Sequence, residues 1–139
     1  MDNSLFDVLT DQLRRYEGLM LRIYRDTQGY LTIGYGRNLE TTGISKTEAE
    51  ILLSNDATKS INEAKTAVEN FDSLSINRQS VIANMIFNLG LNSFLNFKKM
   101  ISYIENNQFT QAAEEMLNSL WASQVGQRAK DLAELMDKG

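Results

Sequence analysis

Half of the chain's eight glycines fall in one stretch, RRYEGLMLRIYRDTQGYLTIGYG at residues 14–36, and the chain contains no proline. That contrast constrains the fold more than any other feature. Gly18 follows Glu17 where a helix C-cap is expected. Leu19–Arg25 loosely alternates in polarity, Asp26-Thr27-Gln28-Gly29 is a turn signal, and Tyr30–Tyr35 is rich in β-branched and aromatic residues. Two short strands joined by a four-residue loop predict a hairpin. The chain outside this window repeats at helical spacing.

Leu5, Phe6, Val8, Leu9, Leu13 and Tyr16 form one helical stripe, with Asp2, Asp7 and Asp11 set toward the positive N-terminal end. Ser45-Lys46-Thr47-Glu48 is a capping box, serine at the cap and glutamate three residues on. A helical pattern of about 24 residues follows, about 36 Å at 1.5 Å per residue; Asn55 and Asp56 are the residues that could interrupt it. A second, strongly apolar helix is expected at 76–89, stopped by Gly90. Shorter ones are expected near 97–105, 109–118 and 126–136. The fold class is therefore α+β and mainly helical: a small lobe with an antiparallel β-hairpin or three-stranded sheet, a long connecting helix, and a larger C-terminal helical lobe. The expected organisation is one domain, with residues of about 14–60 in the hairpin lobe and about 1–13 plus 61–139 in the helical lobe.

The chemistry open to this chain is narrow. With no cysteine, thiolate nucleophiles, disulfides and cysteine metal sites are excluded. With no histidine, Ser-His and Cys-His triads are excluded too, along with the commonest metal ligand. Proton chemistry near neutral pH must rest mainly on carboxylates. The net charge of −4 is spread along the chain and argues against nucleic acid as a partner. The start, MDNSLFDVLTD, lacks the basic and apolar regions of a signal peptide, and VIANMIFNLG is too short to span a bilayer. These features predict a protein made in the cytoplasm, with no stable membrane association.

Two carboxylates on different elements are the minimal kit for cleaving a glycosidic bond, one protonating the leaving oxygen and the other activating water or attacking carbon. Glu17, closing a helix, and Asp26, at a hairpin bend, fit that requirement. Thr32 on the returning strand could turn its hydroxyl toward the same water. From spacing alone, plain turn chemistry is the commoner reason for Asp, Thr, Gln and Gly at a bend.

The pattern E-G-(x7)-D-T-(x)-G-(x2)-T-(x)-G-(x)-G, here Glu17-Gly18 through Gly34-Tyr35-Gly36, resembles the active-site signature of the T-even phage lysozyme family, glycoside hydrolase family 24. SLSINRQSVIANMIFNLG resembles the family's central buried helix, FTQAAEE an intervening piece, and SLWASQVGQRAKDL its tryptophan segment and the arginine-bearing helix after it. The likeness runs colinearly over nearly the whole chain.

The resemblance implies a muramidase acting on peptidoglycan glycan strands without cofactor or metal, by an inverting mechanism. Glu17 would be the general acid, with Asp26 and Thr32 holding water on the far face of the sugar. Inversion requires about 6.5–9.5 Å between the carboxyl groups. Asn38 and Phe87 match positions lining the saccharide cleft, with Asn88 and Gln124 as polar neighbours. Arg128 matches an arginine that pairs with the catalytic glutamate, and an ordinary helix salt bridge is its structural alternative. Trp121 is expected under the cleft with Asn88 as its N–H partner, and Asn84 in a structural hydrogen-bonded network. An endolysin of this kind acts as a monomer and depends on a holin to reach the wall.

Some positions depart from the family. Arg37 stands where histidine is common, opposite an aspartate that matches Asp56, so an Arg37–Asp56 pair is expected without histidine's pH sensitivity. The segment from Arg37 to Ser45 is short. Met100 and Glu115 replace polar, uncharged substrate contacts, and Glu115 could repel an acidic wall polymer. A non-catalytic wall-binding or phage-tail module of the same fold, or a chitin or chitosan hydrolase, are the alternative readings.

Overall fold

The computed structural model describes residues 4–139, so Asp2 lies outside the described residues. By its internal contacts the chain divides into two units, Met1–Glu50 and Ile51–Gly139.

The first unit opens with helix α1 (Leu5–Glu17), which Ser4 caps by accepting the Asp7 N–H at 3.1 Å. Gly18 ends it at φ 69°, where an L side chain would be strained, and returns its N–H to the Arg14 carbonyl. Three antiparallel strands follow in the order β1-β2-β3: β1 (Met20–Arg25), β2 (Leu31–Gly34) and β3 (Arg37–Asn38). β1 pairs with β2 through Tyr24–Thr32 and Arg25–Leu31, and slips register between Met20 and Tyr24. β2 pairs with β3 through Thr32–Asn38 and Ile33–Arg37. Thr32 thus sits mid-sheet and is buried, 2% exposed.

Helix α2 (Lys46–Ala67) begins in the first unit and continues into the second. The capping box forms as expected: Ser45 Oγ accepts the Glu48 N–H at 3.1 Å, and Glu48 Oε1 accepts the Ser45 N–H at 2.9 Å. Asn55 and Asp56 do not interrupt the helix, because their side chains are exposed and make no demand on its backbone.

The second unit is helical. After a 3-10 turn at Phe71–Ser73 come α3 (Ile76–Leu89), α4 (Leu91–Leu95), α5 (Lys98–Glu105), α6 (Phe109–Leu117), α7 (Leu120–Val125) and α8 (Gln127–Lys138). α3 runs over the expected residues and ends at Gly90, whose N–H reaches the Ile86 carbonyl at 2.7 Å. Its inward face, Val81, Ile82, Met85 and Ile86, is the centre of the core. Phe94, Met100, Ile104, Met116 and Met136 close around that centre. Trp121 is buried, meets Phe97 edge-on at 6.4 Å, and donates its indole N–H to Asn88 Oδ1 at 2.7 Å, as its need for a partner predicted. The short helices α4 and α7 are additions to the sequence reading. Each is less than two turns long, too short to show a period.

Arg78 on α3 ties down the end of α8. Its Nε donates to the Met136 carbonyl at 2.7 Å and its Nη2 to the Asp137 carbonyl at 2.8 Å, while the guanidinium lies 3.6 Å over the Phe109 ring. The last carbonyls of a helix have no intrahelical donor, and this cation supplies two. Arg78→Ala is expected to destabilise the protein by about 2 kcal/mol, the scale of hydrogen bonds to a charged group. Denaturant titration checks it, and an unchanged midpoint counts against this role.

Candidate active site

Of the residues singled out by sequence, three are arranged along β2 of the first unit. Asp26 lies in the bend that enters the strand, Thr32 lies within it, and Glu17 meets the bend that leaves it.

Asp26 is held by backbone. Its Oδ1 accepts the N–H groups of Gln28 and Tyr30, each at 2.9 Å. Its own N–H donates to the Tyr30 carbonyl and its carbonyl accepts from the Gly29 N–H, both at 2.9 Å. One carboxylate oxygen therefore closes the turn, and the other remains for a ligand or water. Thr32 donates its hydroxyl proton to the Tyr30 carbonyl at 2.8 Å, which leaves its oxygen lone pairs as acceptors. Tyr24, Thr32 and Asn38 form one cross-strand row, so their side chains share a face.

Glu17 lies against the β2–β3 bend. A methyl group placed on Gly36 would come within 2.7 Å of Glu17 Oε2 and 3.0 Å of its Cδ. Gly36 also has φ 76°. The absence of a side chain at Gly36 lets a carboxylate rest on the backbone.

Asn38 is committed to its own loop: its Oδ1 accepts the Glu40 and Thr41 N–H groups, each at 3.0 Å. That is an Asx-type turn, and its Nδ2 has no partner among the described residues. Arg37 differs from expectation. Its Nη1 donates to Glu48 Oε1 at 2.7 Å and to the Gly43 carbonyl at 3.1 Å, so its ion-pair partner is Glu48 in place of the expected Asp56. The capping box explains the exchange, because it already turns Glu48 back toward Ser45 and so toward Arg37. The serine-to-glutamate spacing held that signal, although it was read only as a helix start. The guanidinium, together with the Ser45 donors, lowers the Glu48 carboxyl to about 2, and Glu48 in turn raises Arg37.

The remaining predicted residues lie in the second unit. Phe87, Asn84 and Arg128 line one apolar groove of about 660 Å³ with Leu53, Ile61 and Phe71. Arg128 donates Nε and Nη2 to Asn84 Oδ1 at 2.9 and 2.6 Å. Asn84 is thus networked as expected, but on the surface and not in the core. Phe87 is 49% exposed, so it is not core. The Oδ1 of Asn88 is taken by Trp121, and Gln124 is exposed on α7. Met100 is 1% exposed; it floors a second depression of about 400 Å³ with Glu115 on its wall. Lys98 and Lys99 line the same depression, so Glu115 does not set its charge alone. Among the described residues, no group of three or more carboxylates gathers where a metal ion could sit, and no helix is long and apolar enough to cross a membrane.

Comparison with known proteins agrees with the motif. A family model described as phage lysozyme matches residues 14–136. The chain is similar to probable T4-type lysozyme 1 of Dictyostelium discoideum, 32% identical with 94% of each chain covered. Probable T4-type lysozyme 2 of the same organism is 29% identical at the same coverage. The pre-baseplate central spike protein Gp5 of Enterobacteria phage T4 is 26% identical over 87% of this chain, which spans 26% of that protein.

Two measurements probe this geometry. Gly36→Ala is expected to cost about 1–2 kcal/mol through left-handed backbone strain and to shift the Glu17 carboxyl carbon resonance; an unmoved resonance argues against the contact. For Glu48 the folded value lies below the ordinary 4.5, so its pairing stabilises the fold above that pH and is lost as pH falls toward 2. The Tm difference between the native protein and Glu48→Gln should be constant above pH 5 and shrink on acidification. A difference that stays flat down to pH 2 contradicts the pairing.

Proposed function

The chain belongs to the phage lysozyme family and is a lysozyme-type glycoside hydrolase; from that premise we propose that it is an endolysin. In this reading it cuts the β-1,4 bond between N-acetylmuramic acid and N-acetylglucosamine with inversion at the anomeric carbon. The observation that carries the mechanism is the way Asp26 is bound, with Oδ1 closed by two backbone N–H groups and Oδ2 left open.

Glu17 is the general acid and delivers its proton to the glycosidic oxygen as the bond breaks. Asp26 Oδ2 and the Thr32 hydroxyl oxygen accept the two hydrogens of one water and aim its lone pair at the anomeric carbon; as that bond forms, Asp26 takes the proton the water gives up. Thr32 suits this because its own proton is already given to the Tyr30 carbonyl. β2 separates the bend that carries Asp26 from the bend that Glu17 rests against by roughly 10 Å of backbone, which supports a gap wide enough for water, as inversion demands. Asn38 Nδ2, Phe87, Asn88 and Gln124 are the proposed sugar contacts. Access to the wall from the cytoplasm would use a holin.

The likeness to part of Gp5 keeps a second reading in view, a module of a larger phage assembly. Glu17, Asp26 and Thr32 together favour the enzyme, since binding alone needs no acid and base.

Clearing of permeabilised bacterial walls tests the assignment. Glu17→Gln and Asp26→Asn are each expected to lower the rate at least about 100-fold, the range for losing a general acid or base, with Tm nearly unchanged. Thr32→Val should lower it less. Full activity in Glu17→Gln ends the acid assignment.

A further inference from the structure

Arg25 precedes the proposed water-holding carboxylate, and no role in the sequence motif falls to it. Its Nη1 donates to the Gly29 carbonyl across the turn at 2.9 Å. The Gly29 carbonyl and the Tyr30 N–H are opposite ends of one planar trans peptide unit, so fixing one end fixes the other. The Tyr30 N–H is one of the two donors to Asp26 Oδ1.

We propose that Arg25 is a positioning residue for Asp26: by holding the Gly29 carbonyl, it keeps the Gly29–Tyr30 peptide plane turned so that its N–H faces the carboxylate. This rests on the role of Asp26 proposed above. Gly29 has φ 86° and nothing within 4 Å of where a Cβ would lie. A glycine so free of contacts imposes little steric resistance to rotation of the adjoining peptide plane. Rotation would carry the Tyr30 N–H away from Oδ1 and leave the carboxylate held by Gln28 alone. Asp26 would then turn about its side-chain bonds, and Oδ2 would no longer aim a water at one point. The Thr32 anchor shares the hazard, since the Tyr30 carbonyl that receives its proton belongs to the next peptide unit.

The clasp acts through orientation, so its loss should appear in kcat and not in binding. Arg25 is exposed on β1, so its replacement leaves the packing intact. Arg25→Met is expected to lower kcat on a defined peptidoglycan oligosaccharide about 10-fold, within the range for small misplacements of reacting groups, with KM changed less than about twofold. Arg25→Lys, which keeps a cationic donor, should recover most of the rate. Combined with Asp26→Asn, Arg25→Met should add no further loss, because both act through one group. Amide hydrogen exchange at Tyr30, measured by NMR, should quicken in Arg25→Met while α1 and α3 are unaffected.

An unchanged kcat in Arg25→Met, or losses that multiply in the double variant, overturns the proposal. Unchanged Tyr30 exchange overturns it as well, whatever the activity shows. If Asp26→Asn itself retains full activity, the catalytic reading fails. The exchange measurement then still decides whether Arg25 holds the peptide plane.

Discussion

A carboxylate on a surface turn has no core to fix it, and Asp26 is fixed instead by two backbone N–H groups on a single oxygen. That division of labour between its oxygens organises the first unit. The turn must be short enough to bring Gln28 and Tyr30 back to the side chain two and four residues earlier. Gly29, at positive φ, makes that return possible without strain. The strand that leaves the turn then carries Thr32, and the bend beyond its far end carries Gly36, on which Glu17 rests. Each acid is thus held against backbone, one through donors and the other through the missing Cβ of Gly36. Backbone moves less than side chains, and a site built on it keeps its spacing.

The second unit solves a different problem. α3 must be apolar enough to centre a core, yet it carries amides at Asn84 and Asn88. Both are spaced to fall off the buried face of Val81, Ile82, Met85 and Ile86, and each takes a donor from a later helix. Trp121 can be buried because Asn88 receives its N–H, and Arg128 keeps one orientation because Asn84 receives two of its donors. Removing the Asn88 amide would strand the buried indole N–H of Trp121, whereas Arg128 would still reach water.

How much of this could be read in the chain follows from the range of each interaction. α3 was legible to its ends because period and stop signal are local, and so was the capping box at Ser45–Glu48. The motif located Glu17, Asp26 and Thr32, but not what holds them, since the contact of Glu17 with Gly36 spans nineteen positions and depends on the sheet being formed. The partner of Arg37 was misjudged because the expectation came from the family's pairing, while Glu48 was already turned toward that spot by a local cap. Asn84 was legible as a networked amide on a strongly apolar helix, but not its placement, which the burial pattern puts on the outer face. α4 and α7 were missed because five or six residues cannot display a helical period.

The absence of histidine gives these details a chemical consequence. No side chain in the protein has an ordinary titration range between about pH 5 and 8. A reaction that needs one acid protonated and one base ionised must therefore separate two carboxylates by environment alone. The surroundings of the two differ in kind: one oxygen of Asp26 is closed by two backbone N–H groups and the other is open, while Glu17 rests on Gly36 without an N–H donor among the described residues.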